Sequence, residues 1–532
     1  MEKSTSIKTN SIKNIKVTDV CPSYFGLIEN IDGEDTVVVV IEKSTPCPCS
    51  VTKSFFTEYD NQRLINIRIT SSGTPETDPS FVNIIHNRDI QLPPISSAGY
   101  EIEVTCSFDE NGVMHASILN VESGEQTTIS LSTTTSLTSG EIDQFTVDDD
   151  LQEVGSKFGG KFIGIDLGTT YSAISTIDEH GIPKIINNSE GQNITPSCIW
   201  IKDDKQYLVG EEARKELGIN KNVIARFKRD MGTKEKYTVR GQDFTPTDCS
   251  ALVLKKLFQD AQKEVGDIGE TVVTIPANYT NEARVATLTA AKQAGLNVQN
   301  LIEEPSAAAL YYAFKGQIEL NGYYAIFSLG HNSFDISLIK ANQQNINALA
   351  SEGVQKLGGG DFDIILQKII KKKFKDEHNE AVNEKDYTKT DAEEDKKSLT
   401  KREAIYVRIN KKRVSVTRAE FEKKISSLII QTEMLCENIL SDQNLTTEDI
   451  QAVLMVGGNT KIPLVQKAVE RIFKQKPTQS VNVDEVIVLG ASLYAAFKGD
   501  QSKPLLQQKS ANKILKQSED DDSSEIDKWL LD

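Results

Sequence analysis

The fold is decided by residues 163–175, IGIDLGTTYSAIS, where two apolar runs flank a Leu-Gly-Thr-Thr turn. Alternating apolar residues on both sides of a glycine turn predict a β-hairpin. Gly168 permits a tight turn, and the amides of residues 168–170 with the hydroxyls of Thr169 and Thr170 offer several donors to one anion. Asp166, at the end of the first strand, could hold Mg²⁺ through water. A hairpin with a threonine-rich turn and no ligand explains the spacing equally well.

A second stretch, residues 325–339, AIFSLGHNSFDISLI, repeats the order of strand, Leu-Gly turn and strand. Two such units predict a duplicated α/β domain in which each half contributes a phosphate loop. Residues 453–463, VLMVGGNTKIP, add a Gly-Gly joint between an apolar strand and a helix that we expect to begin near Pro463. Such a joint can carry a nucleoside on its backbone, although close strand–helix packing would need the same glycines. Neither GxxxxGKS nor GxxxxGKT occurs, so the chain is not a P-loop enzyme.

Composition narrows the class of protein. The chain has 532 residues and a net charge of −17, and this length accommodates roughly two to four domains. The negative charge argues against general nucleic-acid binding, which needs a basic face. No apolar run is long enough to span a bilayer, and the first residues lack the apolar core of a secretory signal. Seven scattered cysteines indicate reduced thiols in a cytosolic or nuclear compartment.

Cys47 and Cys49, in the sequence PCPC, are the closest pair of cysteines along the chain. A metal site would need further ligands, and neither a second CxC nor a histidine pair supplies them at a suitable spacing. We therefore interpret these cysteines as buried or idle thiols.

Patterning divides the chain into five segments. Residues 16–132 are all-β, and an Asn-Gly turn at 111–112 between two alternating runs predicts a hairpin. From 160 to 500, strands alternate with amphipathic helices, which predicts an α/β domain. Composition predicts that the remaining segments are a polar linker with one helical turn at 133–159, a flexible N-terminus at 1–15 and a disordered acidic tail at 501–532.

Six motifs of the α/β segment resemble, in order, the nucleotide-binding domain of the 70-kilodalton heat-shock chaperones, an actin-like ATPase fold. They are IGIDLGTTYSAIS, VVTIPANYTNEARVATLTAAKQAGLNV, LIEEPSAAALYYAF, LGGGDFD, LMVGGNTKIPLVQKAV and DEVIVLGASLYAA. Residues 16–132 are similar to the family's peptide-binding β-sandwich through TDVCPSYFGLI, TEYDNQRLINIRI and YEIEVTCSFDENGVMHASILNVESGEQTTISL. The fold class implied is an α/β actin-like ATPase preceded by an all-β sandwich. The family places the ATPase first, so the chain resembles a permuted member that keeps only a remnant of the helical lid, SLTSGEIDQF.

The resemblance implies a nucleotide site with ATP or ADP and Mg²⁺ as cofactors. Its catalytic residues would be Lys228 near the γ-phosphate, Glu304 on the magnesium side and Asp166 as a water-mediated Mg²⁺ ligand. The phosphates would contact Gly168, Thr169, Thr170, Tyr171 and Gly330, with Asp484 nearby. The adenosine would lie between two walls, Glu393, Lys396, Lys397 and Thr400 on one side and Gly457, Gly458, Asn459 and Lys461 on the other.

The second phosphate loop departs from the family, which keeps an aspartate followed by Leu-Gly-Gly-Gly-Thr. Here Ser328 replaces the aspartate, and His331 and Asn332 replace two glycines. Losing a carboxylate that positions water or metal costs on the order of 10²–10⁴ in rate, taking general acid–base catalysis as a guide. If the loop kept its shape, His331 would be strained by about 1–3 kcal/mol. We therefore expect ATP hydrolysis to be slow or absent.

On the sandwich, the resemblance implies a peptide pocket lined by Leu27, Phe55, Ile65 and Ile67. These residues alternate on strands, so they would also suit an ordinary core. A bound peptide would gain the hydrogen bonds of an added strand and bury one side chain. The implied partners are unfolded or extended polypeptides, J-domain co-chaperones and exchange factors, with neither nucleic acid nor membrane expected.

The leading interpretation is a chaperone that binds nucleotide and extended apolar peptides and hydrolyses ATP slowly or not at all. The alternative is a non-catalytic regulator that serves other chaperones as an exchange factor or scaffold. A sugar kinase or filament-forming relative of the ATPase fold is disfavoured by the sandwich.

The exchanged domain order has a consequence for coupling between the two implied sites. In the family, a short apolar linker joins the end of the ATPase to the sandwich and packs against the ATPase as a strand. That connection is absent here, so we expect weak coupling. The tail residues Trp529, Leu530 and Leu531 are a candidate replacement, although a free tail or a binding motif for another protein would look the same.

Overall fold

The computed structural model describes residues 16–31, 33–92, 98–129, 146–147, 160–202, 206–319, 321–342, 345–355, 357–480 and 482–499. The expected N-terminal segment, the helical turn at 139–145 and the acidic tail with its residues 529–531 lie outside the described residues. Among the helices that are described, none combines the length and apolar character needed to cross a bilayer.

The described part of residues 16–129 contains nine strands and one 3₁₀ turn, Pro79–Phe81. The strands are β1 (Lys16–Thr18), β2 (Tyr24–Ile31), β3 (Glu34–Ile41), β4 (Cys49–Phe56), β5 (Leu64–Ser72), β6 (Asn83–Gln91), β7 (Glu101–Phe108), β8 (Met114–Asn120) and β9 (Gln126–Ile129). Strands β2 to β9 form two four-stranded antiparallel sheets, ordered β3-β2-β5-β6 and β4-β7-β8-β9. The Asn-Gly turn joins β7 to β8, as the alternation predicts. Inward-facing side chains of both sheets, including Phe25, Ile69 and Phe108, form the sandwich core.

The α/β region that follows contains the remaining strands and all the described α-helices. The strands are β10 (Thr146–Val147), β11 (Lys161–Asp166), β12 (Tyr171–Ile177), β13 (Pro183–Ile186), β14 (Thr195–Pro196), β15 (Cys198–Ile201), β16 (Gln206–Val209), β17 (Val223–Ala225), β18 (Tyr237–Val239), β19 (Gln242–Phe244), β20 (Ile268–Ile275), β21 (Val298–Glu303), β22 (Gly322–Leu329), β23 (Ser333–Asn342), β24 (Asn345–Gln355), β25 (Ala404–Ile409), β26 (Lys412–Thr417) and β27 (Ile450–Val456). The helices are α1 (Glu211–Lys215), α2 (Pro246–Val265), α3 (Asn281–Gln293), α4 (Glu304–Phe314), α5 (Gly359–His378), α6 (Lys389–Lys401), α7 (Arg418–Asp442), α8 (Pro463–Phe473) and α9 (Val486–Gly499).

Two lobes with matching strand order make up this region. Lobe one is built on the sheet β13-β12-β11-β20-β21, and lobe two on the sheet β1-β24-β23-β22-β27. In lobe one, β11 pairs antiparallel with β12 and parallel with β20; in lobe two, β22 pairs antiparallel with β23 and parallel with β27. The correspondence supports the duplication inferred from the two Leu-Gly turns.

Helix α9 packs against β11 and against α4. Gly490 makes the close approach of the helices possible, because a Cβ there would lie 1.9 Å from the carbonyl oxygen of Ala307.

Local sequence determines where three of the helices begin. Helices α2, α6 and α7 each follow a threonine whose hydroxyl accepts a hydrogen bond from a backbone amide, and an acid three residues later completes a capping box. These caps satisfy amide groups of the first turn and so fix where each helix begins.

Two described residues of the expected linker, which follow the predicted helical turn, form a strand. Thr146 and Val147 are β10, which pairs in parallel with β16 in the sheet β10-β16-β15-β17. This part of the linker therefore contacts lobe one.

Strand β1 precedes the sandwich strands in the chain but belongs to the sheet of lobe two. There Lys16–Thr18 pair in parallel with residues 345–347 of β24. The sequence predicts that the family's apolar linker between the ATPase and the sandwich is missing; in the structure, β1 connects the segment before β2 to lobe two. The residues that precede β2 supply this strand and are covalently joined to the sandwich.

The β7–β8 turn also contacts lobe one. The side-chain oxygen of Asn111 accepts a hydrogen bond from the Leu301 amide at 2.7 Å, and the Met114 amide donates to Asn281 Oδ1 at 2.6 Å. Gly112 has φ +64, and a Cβ there would lie 2.7 Å from Nη1 of Arg284. The tight Asn-Gly turn is thus also what allows Arg284 to lie against it.

A buried charge cluster lies beneath this contact. Arg284 is fully buried; its Nη2 is 2.6 Å from Glu303 Oε1, and its Nη1 donates to the Asn111 carbonyl at 2.9 Å. Asp19, which follows β1, accepts from the Ser306 hydroxyl at 3.4 Å. Burial raises the pKa of Asp19 to about 6 against the opposing attraction of Arg284, and burial together with the Asp19 charge raises the pKa of Glu303. Two acids thus share one guanidinium between the sandwich segment and lobe one.

Candidate functional site

A cleft of about 520 Å³ lies between the two lobes. Its walls include the β11–β12 turn, the β22–β23 turn, the turn after β27 and helix α6. Small-molecule sites in proteins commonly measure about 300–1,000 Å³, so the cleft has the size of a ligand pocket. All the nucleotide-site residues expected from sequence line it: Asp166, Gly168, Thr169, Thr170, Tyr171, Lys228, Glu304, Gly330, Glu393, Lys396, Lys397, Thr400, Gly457, Gly458, Asn459, Lys461 and Asp484.

Two serines form hydrogen bonds with the β11–β12 turn. The Gly168 amide donates to Ser172 Oγ at 3.1 Å, and Ser197 Oγ donates to the Gly168 carbonyl at 2.7 Å. A Cβ at Gly168 would lie 1.9 Å from the Tyr171 carbonyl oxygen, so only glycine allows the turn to close this tightly. The turn therefore presents a rigid concave backbone to the cleft, as an anion site requires.

Three carboxylates surround one lysine at the base of the cleft. Lys228 Nζ is 2.8 Å from Glu304 Oε1, and Thr274 donates to Asp166 Oδ1 at 2.8 Å. Burial, reinforced by the charge of Glu304, raises the pKa of Asp166 to about 6 and that of Asp335 to about 7, with Lys228 opposing. Because the acids outnumber the cation, this corner favours a further positive charge, and oxygen ligands of this kind suit Mg²⁺.

The β22–β23 turn carries the altered loop. Ser328 faces Asp335 across the hairpin register, and a small cavity borders both residues and Glu304. His331 and Asn332 are not among the described residues with positive φ, so the strain expected at His331 is not present. The side chain of Asn332 donates to Thr170 Oγ1 at 3.2 Å and so ties the two Leu-Gly turns together.

The His331 imidazole lies in the cleft near Asp363, with 3.7 Å between Nδ1 and Oδ2. Burial, together with the charge of Lys396, lowers the pKa of His331 to about 4. The ring is therefore neutral at neutral pH and brings no positive charge to the place where the family has glycine.

Helix α6 forms one wall through an ion-pair network. Glu393 lies 2.8 Å from Arg214 Nη2 and 3.1 Å from Lys397 Nζ, and it accepts from the Tyr171 hydroxyl at 3.5 Å. The Arg214 guanidinium also lies over the Tyr171 ring, 5.1 Å from its centroid. Sequence reasoning missed Arg214, since α1 is a short charged helix without a motif. Arg214 and Glu393 connect α1 to α6 across the mouth of the cleft.

The opposite wall is the turn after β27. Gly457 has φ +85, and a Cβ there would lie 2.6 Å from the Leu329 carbonyl oxygen, so this glycine lets the turn pack on the β22–β23 hairpin. Asn459 donates to the Gly330 carbonyl at 2.9 Å, and Lys461 Nζ lies 2.8 Å from Asp484 Oδ2. Helix α8 begins at Pro463, as the sequence predicts.

The four residues expected to line a peptide pocket differ in how deeply they are buried. Leu27 and Ile67 are buried in the sandwich core, whereas Phe55 and Ile65 are half-buried against it. The β4–β5 connection and its flanking residues also expose three large apolar side chains, Phe56, Tyr59 and Leu64. The sandwich thus presents apolar surface beside Phe55 and Ile65, while Leu27 and Ile67 serve the core.

Fold and site together define a class of protein: two duplicated α/β lobes around a polar cleft, with a β-sandwich docked on them. Comparison with known families agrees, since the family model described as Hsp70 protein matches residues 5–157, 162–240 and 235–506. The chain belongs to the Hsp70 family.

Two curated relatives are similar over the same share of the chain. The chaperone protein DnaK of Metamycoplasma hominis is 33% identical over 359 residues, and that of Mycoplasma mobile is 34% identical over 372 residues. Each alignment covers 65% of this chain and 60% of the relative. The matched region therefore spans about three fifths of the length of these relatives.

Proposed function

We propose that this chain is an Hsp70-type chaperone that binds ATP or ADP with Mg²⁺ in the cleft and extended apolar peptide segments on the sandwich, with slow or no hydrolysis. The observation that carries the proposal is the convergence of the braced β11–β12 turn, the Lys228–Glu304 pair and the Gly457 turn on one cleft of nucleotide size. In this assignment the ATPase is of the actin-like type, with one phosphate turn from each lobe.

The proposed roles within the cleft combine the family resemblance with the observed contacts. The amides of the β11–β12 turn bind phosphate oxygens, and Lys228, held by Glu304, faces the terminal phosphate. Asp166 and Glu304 hold Mg²⁺, which neutralises phosphate charge when bound. Ser328 lacks the carboxylate that would position a water for attack, which is the reason for assigning slow turnover. Lys396, Lys397 and Thr400 face the adenosine from one side, with Gly457, Gly458 and Asn459 on the other.

Nucleotide should bind to the full chain but turn over poorly. We expect isothermal titration calorimetry to show one site for ATP and ADP that needs Mg²⁺. Single-turnover hydrolysis should run on the order of 10²–10⁴ below that of a relative with the aspartate in place. Lys228→Ala, which leaves Glu304 and Asp166 without their cation, is the control that assigns residual hydrolysis to this cleft. Hydrolysis at the relative's rate would contradict the proposed slow turnover, and absence of nucleotide binding would contradict the site itself.

Peptide binding should depend on Ile65. Ile65→Asp is expected to weaken binding of a short apolar peptide by at least about tenfold, because it places an unpaired charge against apolar surface. The matched control is Ile84→Asp, at an exposed isoleucine of the adjacent strand β6, which should leave affinity unchanged. Fluorescence anisotropy with a labelled peptide measures the affinities, and thermal unfolding checks that both variants fold. Equal affinity in two folded variants would remove Ile65 from the peptide site.

The second candidate function is a non-catalytic regulator of other chaperones. The replacement of the second-loop aspartate and two glycines by Ser328, His331 and Asn332 favours it, because these changes reduce chemistry without removing the cleft. The two functions differ in peptide binding, which a chaperone needs and a docking regulator does not. J-domain co-chaperones and exchange factors are the proposed partners in the first case, in a cytosolic setting.

A further inference from the structure

Three cysteine sulfurs meet where the chain passes from β1 into the sandwich. Cys21 is fully buried, and its Sγ lies 3.6 Å from Cys47 Sγ and 3.8 Å from Cys49 Sγ. The three sulfurs all lie within 4.8 Å of one another. The sequence showed only the PCPC pair; the third thiol comes from 26 residues upstream of Cys47. The missing ligand that argued against a metal site is therefore Cys21.

The separations of Cys21 Sγ from the other two sulfurs are close to those of thiolates around one ion. Thiolate sulfur lies about 2.3 Å from zinc, which places two sulfurs about 3.8 Å apart in a tetrahedral site and about 4.0 Å apart in a trigonal one. A disulfide would require about 2.0 Å between sulfurs, so these separations correspond to free thiols. The observed separations bring the three sulfurs close enough to face a common centre.

Backbone hydrogen bonds fix the two segments that carry the thiols. The Cys21 amide donates to the Thr45 carbonyl at 2.8 Å, and the Ser44 amide donates to the Cys21 carbonyl at 2.9 Å. The Cys47 amide donates to the Asp19 carbonyl at 2.8 Å. Because these bonds bridge the segments without using the sulfurs, the thiols are positioned before any ligand arrives, which lowers the ordering cost of binding.

The chemistry of the ligands requires protons to leave when a metal binds. The thiolate, and not the thiol, is the form of cysteine that binds a metal ion. An entering ion would therefore displace the thiol protons to solvent.

We propose that Cys21, Cys47 and Cys49 bind one thiophilic d¹⁰ metal ion, Zn²⁺ or Cu⁺. Three soft sulfur ligands select such ions over Mg²⁺ or Ca²⁺, which take oxygen ligands. Cys49 is only partly buried and gives the ion access from solvent. Among the described residues, the ligand group contains these three thiols alone, so Zn²⁺ would take its fourth ligand from solvent, whereas Cu⁺ would be complete as a trigonal ion.

The site would also act on the docking of the sandwich. It lies two residues beyond Asp19 and three beyond the end of β1, on the segment that pairs with lobe two. A bound ion would fasten that segment to the β3–β4 connection. Loss of the ion would leave the segment held by its three backbone hydrogen bonds.

The test uses the reduced, metal-free full chain titrated separately with Zn²⁺ and with Cu⁺ in competition with a chromophoric chelator. We expect one equivalent of at least one of these ions to bind with the release of protons. Cys49→Ser should weaken that binding at least tenfold. Cys106→Ser, which removes the remaining sandwich thiol, is the matched control and should bind as the unaltered chain does. Cd²⁺ should give a sulfur-to-metal charge-transfer band that Cys49→Ser weakens, a signal that a merely structural thiol would not produce.

Several outcomes would overturn the proposal. They are absence of binding by both ions, equal binding by Cys49→Ser and the unaltered chain, or equal weakening by Cys106→Ser. If the reduced chain binds no ion and Cys21 instead oxidises to a disulfide, the cluster is a redox pair and the metal site is wrong. Thermal unfolding confirms that the compared variants are folded. None of these measurements involves nucleotide or peptide, so they are independent of the proposed chaperone function.

Discussion

Restoring the second loop with Ser328→Asp, His331→Gly and Asn332→Gly should raise single-turnover ATP hydrolysis by on the order of 10²–10⁴. The reason is that the new carboxylate would face Asp335 and border the same small cavity as Glu304, where it can position water or Mg²⁺. The glycines would open the place now taken by the His331 imidazole. The measurement is the rate of phosphate release from stoichiometric ATP at saturating Mg²⁺.

The same triple substitution in a Lys228→Ala background is the control. This variant should hydrolyse ATP more slowly than the triple variant that keeps Lys228, because Lys228 supplies the positive charge at the base of the cleft. An unchanged rate in the restored variant, measured with nucleotide saturating, would mean that the altered loop is not what limits hydrolysis.

Arg284→Gln should shift the equilibrium between the docked and undocked sandwich toward the undocked state by about 150-fold to about 5,000-fold. Removing one partner of a buried ion pair costs about 3–5 kcal/mol, because the other charge is left buried without compensation. Here Glu303 and Asp19 would both lose their guanidinium, and Asn111 would lose the donor to its carbonyl. Hydrogen exchange at the Leu301 and Met114 amides reports docking, since their acceptors are Asn111 and Asn281 across the interface. Both amides should lose protection by the same factor.

Lys498→Ala is the matched control at the same interface. Its partner Glu110 is largely exposed, and an exposed pair contributes only about 0–1 kcal/mol, so protection should barely change. The double substitution Arg284→Gln with Glu303→Gln should recover part of the loss, because it removes the unpaired carboxylate. Full protection in Arg284→Gln would show that the buried cluster does not hold the domains together.

Sequence reasoning succeeded where a local rule determines structure. A glycine turn between alternating runs predicted both Leu-Gly hairpins and the β7–β8 hairpin, and Pro463 predicted the start of α8. Backbone sterics at Gly168 and Gly457 leave little choice of conformation, so these elements follow from a few neighbouring residues. The cleft residues were located through motifs carried on such elements.

Sequence reasoning failed where the structure depends on contacts between distant segments. Arg284 lies on a helix whose sequence predicts only an ordinary packing helix. The neighbouring residues give no sign that the Arg284 side chain contacts Asn111 and Glu303. Cys21 was separated from Cys47 by two strands, and β1 is too short to be recognised by periodicity. The strain at His331 was expected only if the loop kept a glycine conformation, and His331 is not among the described residues with positive φ.

The hydrogen bond from Asn332 to Thr170 has a consequence for the entropy of ligand binding. The amide satisfies a lone pair of the Thr170 hydroxyl, which leaves the hydroxyl hydrogen free to point at another acceptor, and it links the two lobes in the absence of any ligand. The two turns are therefore already ordered before a ligand binds, so ordering them adds less to the entropic cost of binding. Asn332→Gly, which the restored loop requires, abolishes this link. The variant that hydrolyses ATP faster is consequently expected to hold nucleotide less tightly, because it must order both turns at the moment of binding.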